Sequence, residues 1–343
     1  MMRKMTQKIT QKMLALGMTL TLSVTLWACG GNGSAQSTAQ TDQTTVQTAE
    51  SAAGAGVTIS NNLNGETFDV TYDTVPQRVV SASSFMTEML LALGLEDHIA
   101  GYCYQDNEVL PQYQEAYAKL TCLSDKNPSQ EVLLQTEPDF LTGWESTFSD
   151  KNFSKDFCEQ NHIKIYVPKV EGAGASLESV YEDLKNLGQI FQVEDRAEKL
   201  ISDMQAQVAE VEAKVADKTP VSVFIYDSGE ASPFTAGAGL ASDMIEKAGG
   251  YNVFKDAGDY WITVSWEEVV AANPKYIIVM DYDMSDDTDA KVDYLKNNEA
   301  LKNVDAIKNG NIFVLGLADF TGGIRNTQAI EDMARKFHPE CFE

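Results

Sequence analysis

The sequence predicts an α/β protein with parallel sheets in two lobes joined by a helical strut, and three observations carry that expectation. Short β-rich apolar runs alternate with helical patterns through residues 57–343, as βαβ units require. One apolar stripe, Ala197, Leu200, Ile201, Met204, Val208, Val211 and Val215, advances at helical spacing for longer than a single lobe needs. The two halves also share a pattern, since Glu131 and Glu267 each stand seven positions before a proline, Pro138 and Pro274, that opens an apolar run.

The chain has 343 residues, 43% hydrophobic and 22% charged, enough apolar material for two lobes. Its net charge is −25, and a polyanionic surface repels phosphate backbones, so nucleic-acid binding is excluded as an expectation.

Taken in order, Arg3, Lys4, Lys8 and Lys12 precede an apolar stretch over residues 13–28. That stretch is too short for a comfortable membrane span of about 20 residues, so residues 1–28 read as a secretory signal. Residues 29–56 are rich in Gly, Ser, Ala, Thr and Gln and hold no aromatic residue, which predicts a flexible tether. Strands are expected at 78–82, 99–103, 140–142 and 163–167 in a first lobe over residues 57–175. A helical region over 176–218, broken near Gln192 and stopped by Pro220, contains the strut, about 24 residues or roughly 36 Å long. Strands at 221–226, 276–280 and 312–315 build the second lobe over residues 219–343. Beyond Cys29, the four cysteines Cys103, Cys122, Cys158 and Cys341 fit no disulfide framework or zinc spacing. Free thiols are the simpler reading, and a Cys103–Cys122 bridge is the alternative.

Catalytic constellations are missing from the sequence. The three histidines, His98, His162 and His338, lie in no metal-binding pattern, no phosphate-cradling glycine loop follows a strand, and Gly-x-Ser-x-Gly is absent. With 51 acidic residues, chance carboxylate pairs carry no signal. The expectation is a binding protein with no catalytic residue and no metal site of its own. In open α/β sheets a ligand sits beyond the carboxyl ends of the strands. The residues there are Ser83, Ser84, Phe85, Tyr104, Trp144, Phe148, Lys169, Tyr226, Trp261, Tyr282, Phe320 and Arg325. Phe85 and Phe320 are expected to be core residues or loop plugs. The ligand-binding candidates are Tyr104, Trp144, Lys169, Tyr226, Trp261, Tyr282 and Arg325. Their aromatic character suits a macrocycle or chelate, through large apolar contact at low entropic cost.

Several segments together carry a family resemblance. They are Pro76-Gln-Arg78-Val-Val-Ser81, Thr87-Glu88-Met-Leu-Leu-Ala-Leu-Gly94, Phe234-Thr-Ala-Gly237 running to Ala248-Gly-Gly250-Tyr-Asn252-Val-Phe254, Ser265-Trp-Glu267 up to Asn273-Pro274, and Phe337-His338-Pro339-Glu340. In that order they resemble the substrate-binding proteins of ABC importers for iron complexes and vitamin B12. Leu26-Trp-Ala-Cys29-Gly30 similarly resembles the lipobox of bacterial lipoproteins, which implies lipidation at Cys29 and anchoring on the extracytoplasmic face of the cell membrane. The resemblance implies two doubly wound Rossmann-like lobes bridged by one long α-helix, the periplasmic-binding-protein type with a rigid strut. It further implies a monomer working with a permease dimer and its ATPase, with Glu131 and Glu267 as the residues presented to the permease.

No intrinsic cofactor is expected. Only Lys169 and Arg325 among the cleft candidates are basic, so a weakly charged, hydroxamate-type ferric siderophore ranks first as ligand. A corrinoid such as vitamin B12 comes next, and heme is the further alternative, with Tyr104, Tyr226 or Tyr282 as its iron ligand. Tyr226-Asp-Ser-Gly-Glu230 with Trp261 also looks like a branch of the family proposed to carry larger cofactor precursors. The rival in a different class is a lipid-anchored binding module without a transporter.

Overall fold

An antiparallel hairpin precedes the first lobe. Its strands β1 (Val57–Leu63) and β2 (Glu66–Tyr72) are joined by Asn64-Gly65, with φ of 52° and 79°. This two-residue turn needs positive φ at both positions, which Asn and Gly tolerate best. The hairpin is tied to the first lobe by buried polar bonds. Asn61 Oδ1 accepts the Val167 N–H at 2.8 Å, and the Tyr72 hydroxyl donates to Ile165 O at 2.7 Å. The computed structural model describes residues 56–282 and 287–343, so the signal segment, Cys29 and most of the tether lie outside the described residues.

The first lobe is a parallel sheet of β3 (Val79–Ala82), β4 (Ile99–Cys103), β5 (Cys122–Ser124), β6 (Phe140–Gly143) and β7 (Lys164–Tyr166), ordered β5-β4-β3-β6-β7. Its connections carry α1 (Ser84–Ala92), α2 (Gln114–Tyr117), α3 (Gln130–Gln135) and α4 (Lys155–Gln160). The bridge follows as α5 (Leu177–Phe191) and α6 (Glu194–Val215), separated at Gln192, whose φ of 56° is the left-handed end of α5. At 22 residues α6 is about 33 Å long. Near its start Arg196 donates to Leu93 O at 2.9 Å in the first lobe, and near its end Glu212 meets Lys247 at 3.3 Å in the second.

The second lobe holds β8 (Val221–Tyr226), β9 (Phe234–Ala236), β10 (Gly250–Asn252), β11 (Trp261–Thr263), β12 (Tyr276–Asp281) and β13 (Ile312–Gly316). Four of these form a parallel sheet ordered β10-β8-β12-β13, while β9 and β11 pair antiparallel beside it. Helices α7 (Leu240–Lys247), α8 (Trp266–Ala272), α9 (Thr288–Asn297), α10 (Asp305–Asn309), α11 (Leu317–Phe320) and α12 (Asn326–Phe337) complete it.

The predicted α/β class, with parallel sheets and a long helix, is the observed one, and all seven expected strands are present within two residues of their expected ends. The hairpin, β5, β9, β10 and β11 were not anticipated. Cys103, Cys122, Cys158 and Cys341 are free, so the alternative of a Cys103–Cys122 bridge does not hold. Burial pushes the Cys103 thiol up to about 12, which keeps it protonated and unreactive.

Candidate ligand-binding cleft

In both sheets the chain leaves the central strand, β3 or β8, first to one side and then to the other. That reversal opens a crevice at the carboxyl edge of each sheet. The two edges meet between the lobes. There the loop after β7 brings Val170, Glu171 and Gly172 against the second lobe. A Cβ on Gly239 would stand 2.7 Å from Gly172 O, and one on Gly322 only 2.1 Å from Val170 Cγ1. Only glycine permits this approach at either position.

Between these contacts lies a narrow crevice, partly open to solvent, with room of about 40 Å³, well below the roughly 300–1,000 Å³ of small-molecule sites, so a chelate-sized ligand requires the lining to open. The first lobe supplies Trp144, at the end of β6, and Glu171; the second supplies Tyr260, Trp261 and Phe320. Trp144 is held edge-on by buried Phe85, with ring centroids 5.0 Å apart. Trp261 is stacked on Phe234 at 5.5 Å. Both indoles are therefore braced by a second aromatic ring and each leaves part of its surface to the cleft. The Glu171 carboxylate accepts the Glu145 N–H at 2.6 Å, and burial pushes this acid up to about 7. Burial also raises the Tyr260 hydroxyl to about 12, with the charges of Glu171 and Glu145 adding to it across the lobe boundary.

A polar seam closes another part of the boundary. Arg325 forks onto Glu88 of α1, Nε to Oε2 at 2.7 Å and Nη2 to Oε1 at 2.5 Å, and Nη2 also donates to Glu108 O at 2.6 Å. Both side chains are nearly buried, at 12% and 5% exposure. Asn107 adds two bonds, accepting the Ala318 N–H at 2.8 Å and donating to Asp281 O at 3.4 Å. Beside the seam, the Tyr282 hydroxyl donates to Asp227, and Lys291 Nζ sits 4.9 Å from the Tyr282 ring centroid.

Of the residues singled out from sequence, Trp144 and Trp261 come together in the cleft, while Tyr282 and Arg325 lie on the seam. Arg325 is committed to Glu88 and Glu108 rather than presented to a ligand. Tyr104 follows β4 in a left-handed conformation, φ 60°, and packs half-buried on the first lobe's core. Two expectations need correction. Tyr226 is 2% exposed and packs with Trp266 and Tyr294 inside the second lobe, because strand alternation puts it with Phe224 on the face that α8 and α9 cover. Lys169 turns to the hairpin, donating to Ser60 O at 2.6 Å with Glu182 at 4.0 Å, since β1 offers an unpaired carbonyl at that edge. Phe148 is likewise core, and Phe85 and Phe320 are buried as expected.

Sequence reasoning missed Tyr260, Glu171 and Glu88. The first two stand within two residues of Trp261 and Lys169, so a wider window around the strand ends would have included them. Nothing local marks Glu88, whose partner is 237 residues away. Glu131 and Glu267 are exposed, each at the second position of a serine-capped helix, α3 or α8.

Two mixed α/β lobes, a long bridging helix and an aromatic cleft at the facing strand ends define the class of a solute-binding protein. The chain belongs to the periplasmic binding protein family, whose model matches residues 79–317. It is 24% identical over 281 residues to the uncharacterized ABC transporter substrate-binding lipoprotein YvrC of Bacillus subtilis, covering 80% of this chain and 84% of that one. The petrobactin-binding protein YclQ of the same organism is 27% identical, over 75% and 81% of the two chains. A vitamin B12-binding protein of Pectobacterium atrosepticum is 26% identical, over 60% and 72%. Among solved structures, a periplasmic binding protein from Veillonella parvula superposes with a TM-score of 0.79 at 35% identity, covering 83% of this chain and 99% of that one. These relatives are binding proteins, in keeping with the expectation of no enzymatic activity.

Proposed function

We propose that this protein is the extracytoplasmic solute-binding component of an ABC importer, capturing an iron complex between its lobes and handing it to a permease. The observation that carries this reading is the interlobe cleft, where Trp144 of the first lobe and Tyr260 and Trp261 of the second line one space. A hydroxamate-type ferric siderophore is the first ligand on this reading. A corrinoid is the second, favoured by the same flat aromatic surface. Binding is without turnover. Cys29 carries the lipid anchor on this reading, and Glu131 and Glu267 meet the permease.

The test is a titration of the lipid-free protein with ferric hydroxamates, hemin and cobalamin, read by tryptophan emission and melting temperature. Quenching that is lost in the Trp144→Phe, Trp261→Phe double variant supports the reading. A panel that moves neither signal rejects it. For the anchor, wild-type chain is expected in the membrane fraction and Cys29→Ala is expected to be released or left unprocessed; unchanged membrane retention of the variant rejects lipidation at that position.

A further inference from the structure

The cleft has an unusual charge arrangement. Its lining holds one carboxylic acid, Glu171, four aromatic side chains, Trp144, Tyr260, Trp261 and Phe320, and no basic side chain. Among the described residues, the hydrogen bond to Glu171 comes from the Glu145 backbone N–H, and no cation lies within ion-pair distance of it. Three basic groups near the strand ends are already engaged. Arg325 holds Glu88, Lys169 holds Ser60 O, and Lys291 donates to Met280 O at 3.0 Å with Asp287 at 3.4 Å. Further acids stand at the seam. Asp106 accepts the Ser84 hydroxyl at 2.8 Å, and Asp227 takes that of Tyr282.

An anionic group entering this space meets a carboxylate at short range in a poorly screened interior and finds no cation to compensate it. A cationic group instead finds a carboxylate and the negative faces of Trp144, Tyr260 and Trp261, the combination that suits ammonium recognition. We propose that the cleft selects metal complexes that present a positively charged group to Glu171 and discriminates against anionic ones. This deepens the functional reading above and rests on it. It separates ligands of equal shape by charge, placing an ammonium-bearing ferric hydroxamate above a dicarboxylate such as heme. The raised pKa of Glu171, caused first by burial, agrees with a buried carboxyl that has no cationic partner.

The experiment uses one ferric trihydroxamate skeleton in three forms: with a free terminal ammonium, N-acetylated and neutral, and N-succinylated and anionic. A cationic aquacobinamide and an anionic cobyrinic acid repeat the comparison for corrinoids. All five are titrated into wild-type protein and Glu171→Gln at low and physiological ionic strength. In wild type, the ammonium form is expected to bind about tenfold tighter than the neutral form, and the neutral form about tenfold tighter than the succinyl form, or about 1.4 kcal/mol per step. Glu171→Gln keeps the acceptor for Glu145 N–H and is expected to compress the series to about threefold, with a melting temperature no lower than wild type. Equal affinities across the series in wild type, or a preference for the anion, overturn this inference while leaving the binding function intact. No response to any of the five probes overturns the functional reading itself, and this inference with it. A series unchanged in folded Glu171→Gln overturns the assignment to that residue.

Discussion

Asp183 is a carboxylic acid with no access to water, and its neighbours show how a single residue can set a pH response. It accepts the Tyr166 hydroxyl and, through both oxygens, the Lys169 N–H at 2.8 and 3.1 Å. Burial raises it to about 7, above the ordinary value near 4 that it regains on unfolding. The native state therefore holds a proton between about pH 4 and 7 that the unfolded chain has released. The stability this group contributes is complete below pH 4, falls as pH rises to 7, and is level above that. Asp183→Asn cannot titrate, so its denaturation midpoint is expected to change less between pH 4.5 and 7.5 than that of wild type. Parallel slopes in the two proteins would show that Asp183 does not titrate in this window.

At the scale of elements, the repeat between the lobes extends further than two glutamates and two prolines. Ser129 and Ser265 cap α3 and α8, accepting backbone N–H groups at 3.2 and 3.3 Å. Glu131 and Glu267 follow two residues later. Glu137 and Asn273 take positive φ of 46° and 43°, Pro138 and Pro274 come next, and β6 and β12 begin two residues beyond. In a parallel sheet the helix before a strand starts at the carboxyl edge, so each glutamate stands on the cleft side of its lobe. Under the docking proposal, Glu131→Arg with Glu267→Arg is expected to abolish uptake in cells while ligand affinity and melting temperature stay at wild-type values; uptake at wild-type rates in the double reversal rejects it. Glu268 has another duty, because its carboxylate returns to the Ser265 N–H at 2.7 Å and completes a capping box. Ser265→Ala is accordingly expected to lower stability by about 1 kcal/mol in chemical denaturation without altering uptake.

These elements also mark how far the sequence could be read. The buried parallel strands were legible because they are continuous apolar runs between helical patterns, and the bridge because its stripe keeps one period past Gln192. The hairpin was also legible in principle, since Asn64-Gly65 is a strong turn signal, but its strands are half polar, with Ile59, Leu63, Phe68 and Tyr72 scattered among Thr, Ser, Asn and Asp rather than in one apolar run. The cleft was legible only as a set of strand ends. Whether a residue after a strand faces the cleft, the core or an edge depends on register, and that separated Trp144 and Trp261 from Tyr226 and Lys169.

For the whole molecule, the question is what holds two lobes in one relation. The bridge contributes stiffness, and the seam contributes a nearly buried fork between Arg325 and Glu88. Removing one partner of such a pair strands the other charge away from water, which typically costs about 3–5 kcal/mol. Arg325→Ala is expected to lower the melting temperature sharply, and Glu88→Gln with Arg325→Gln to recover part of the loss, because it leaves no unpaired charge. Equal melting temperatures for Arg325→Ala and wild type would show that the seam does not couple the lobes.

The bridge has one more consequence, and it concerns time rather than shape. The chain crosses from the first lobe to the second once, through α5 and α6, and neither sheet borrows a strand from the other. Each sheet is thus assembled from a contiguous stretch of sequence, which keeps loop closures short and lets domains fold as units, the earlier one first as the chain emerges. The first lobe can complete its sheet before β8 exists, whereas the fork between Arg325 and Glu88 must await the last helix. Refolding followed separately through Trp144 and Trp261, each retained alone in lipid-free protein that also carries Trp266→Phe, is therefore expected to give two rates, with lobe pairing as the slowest event.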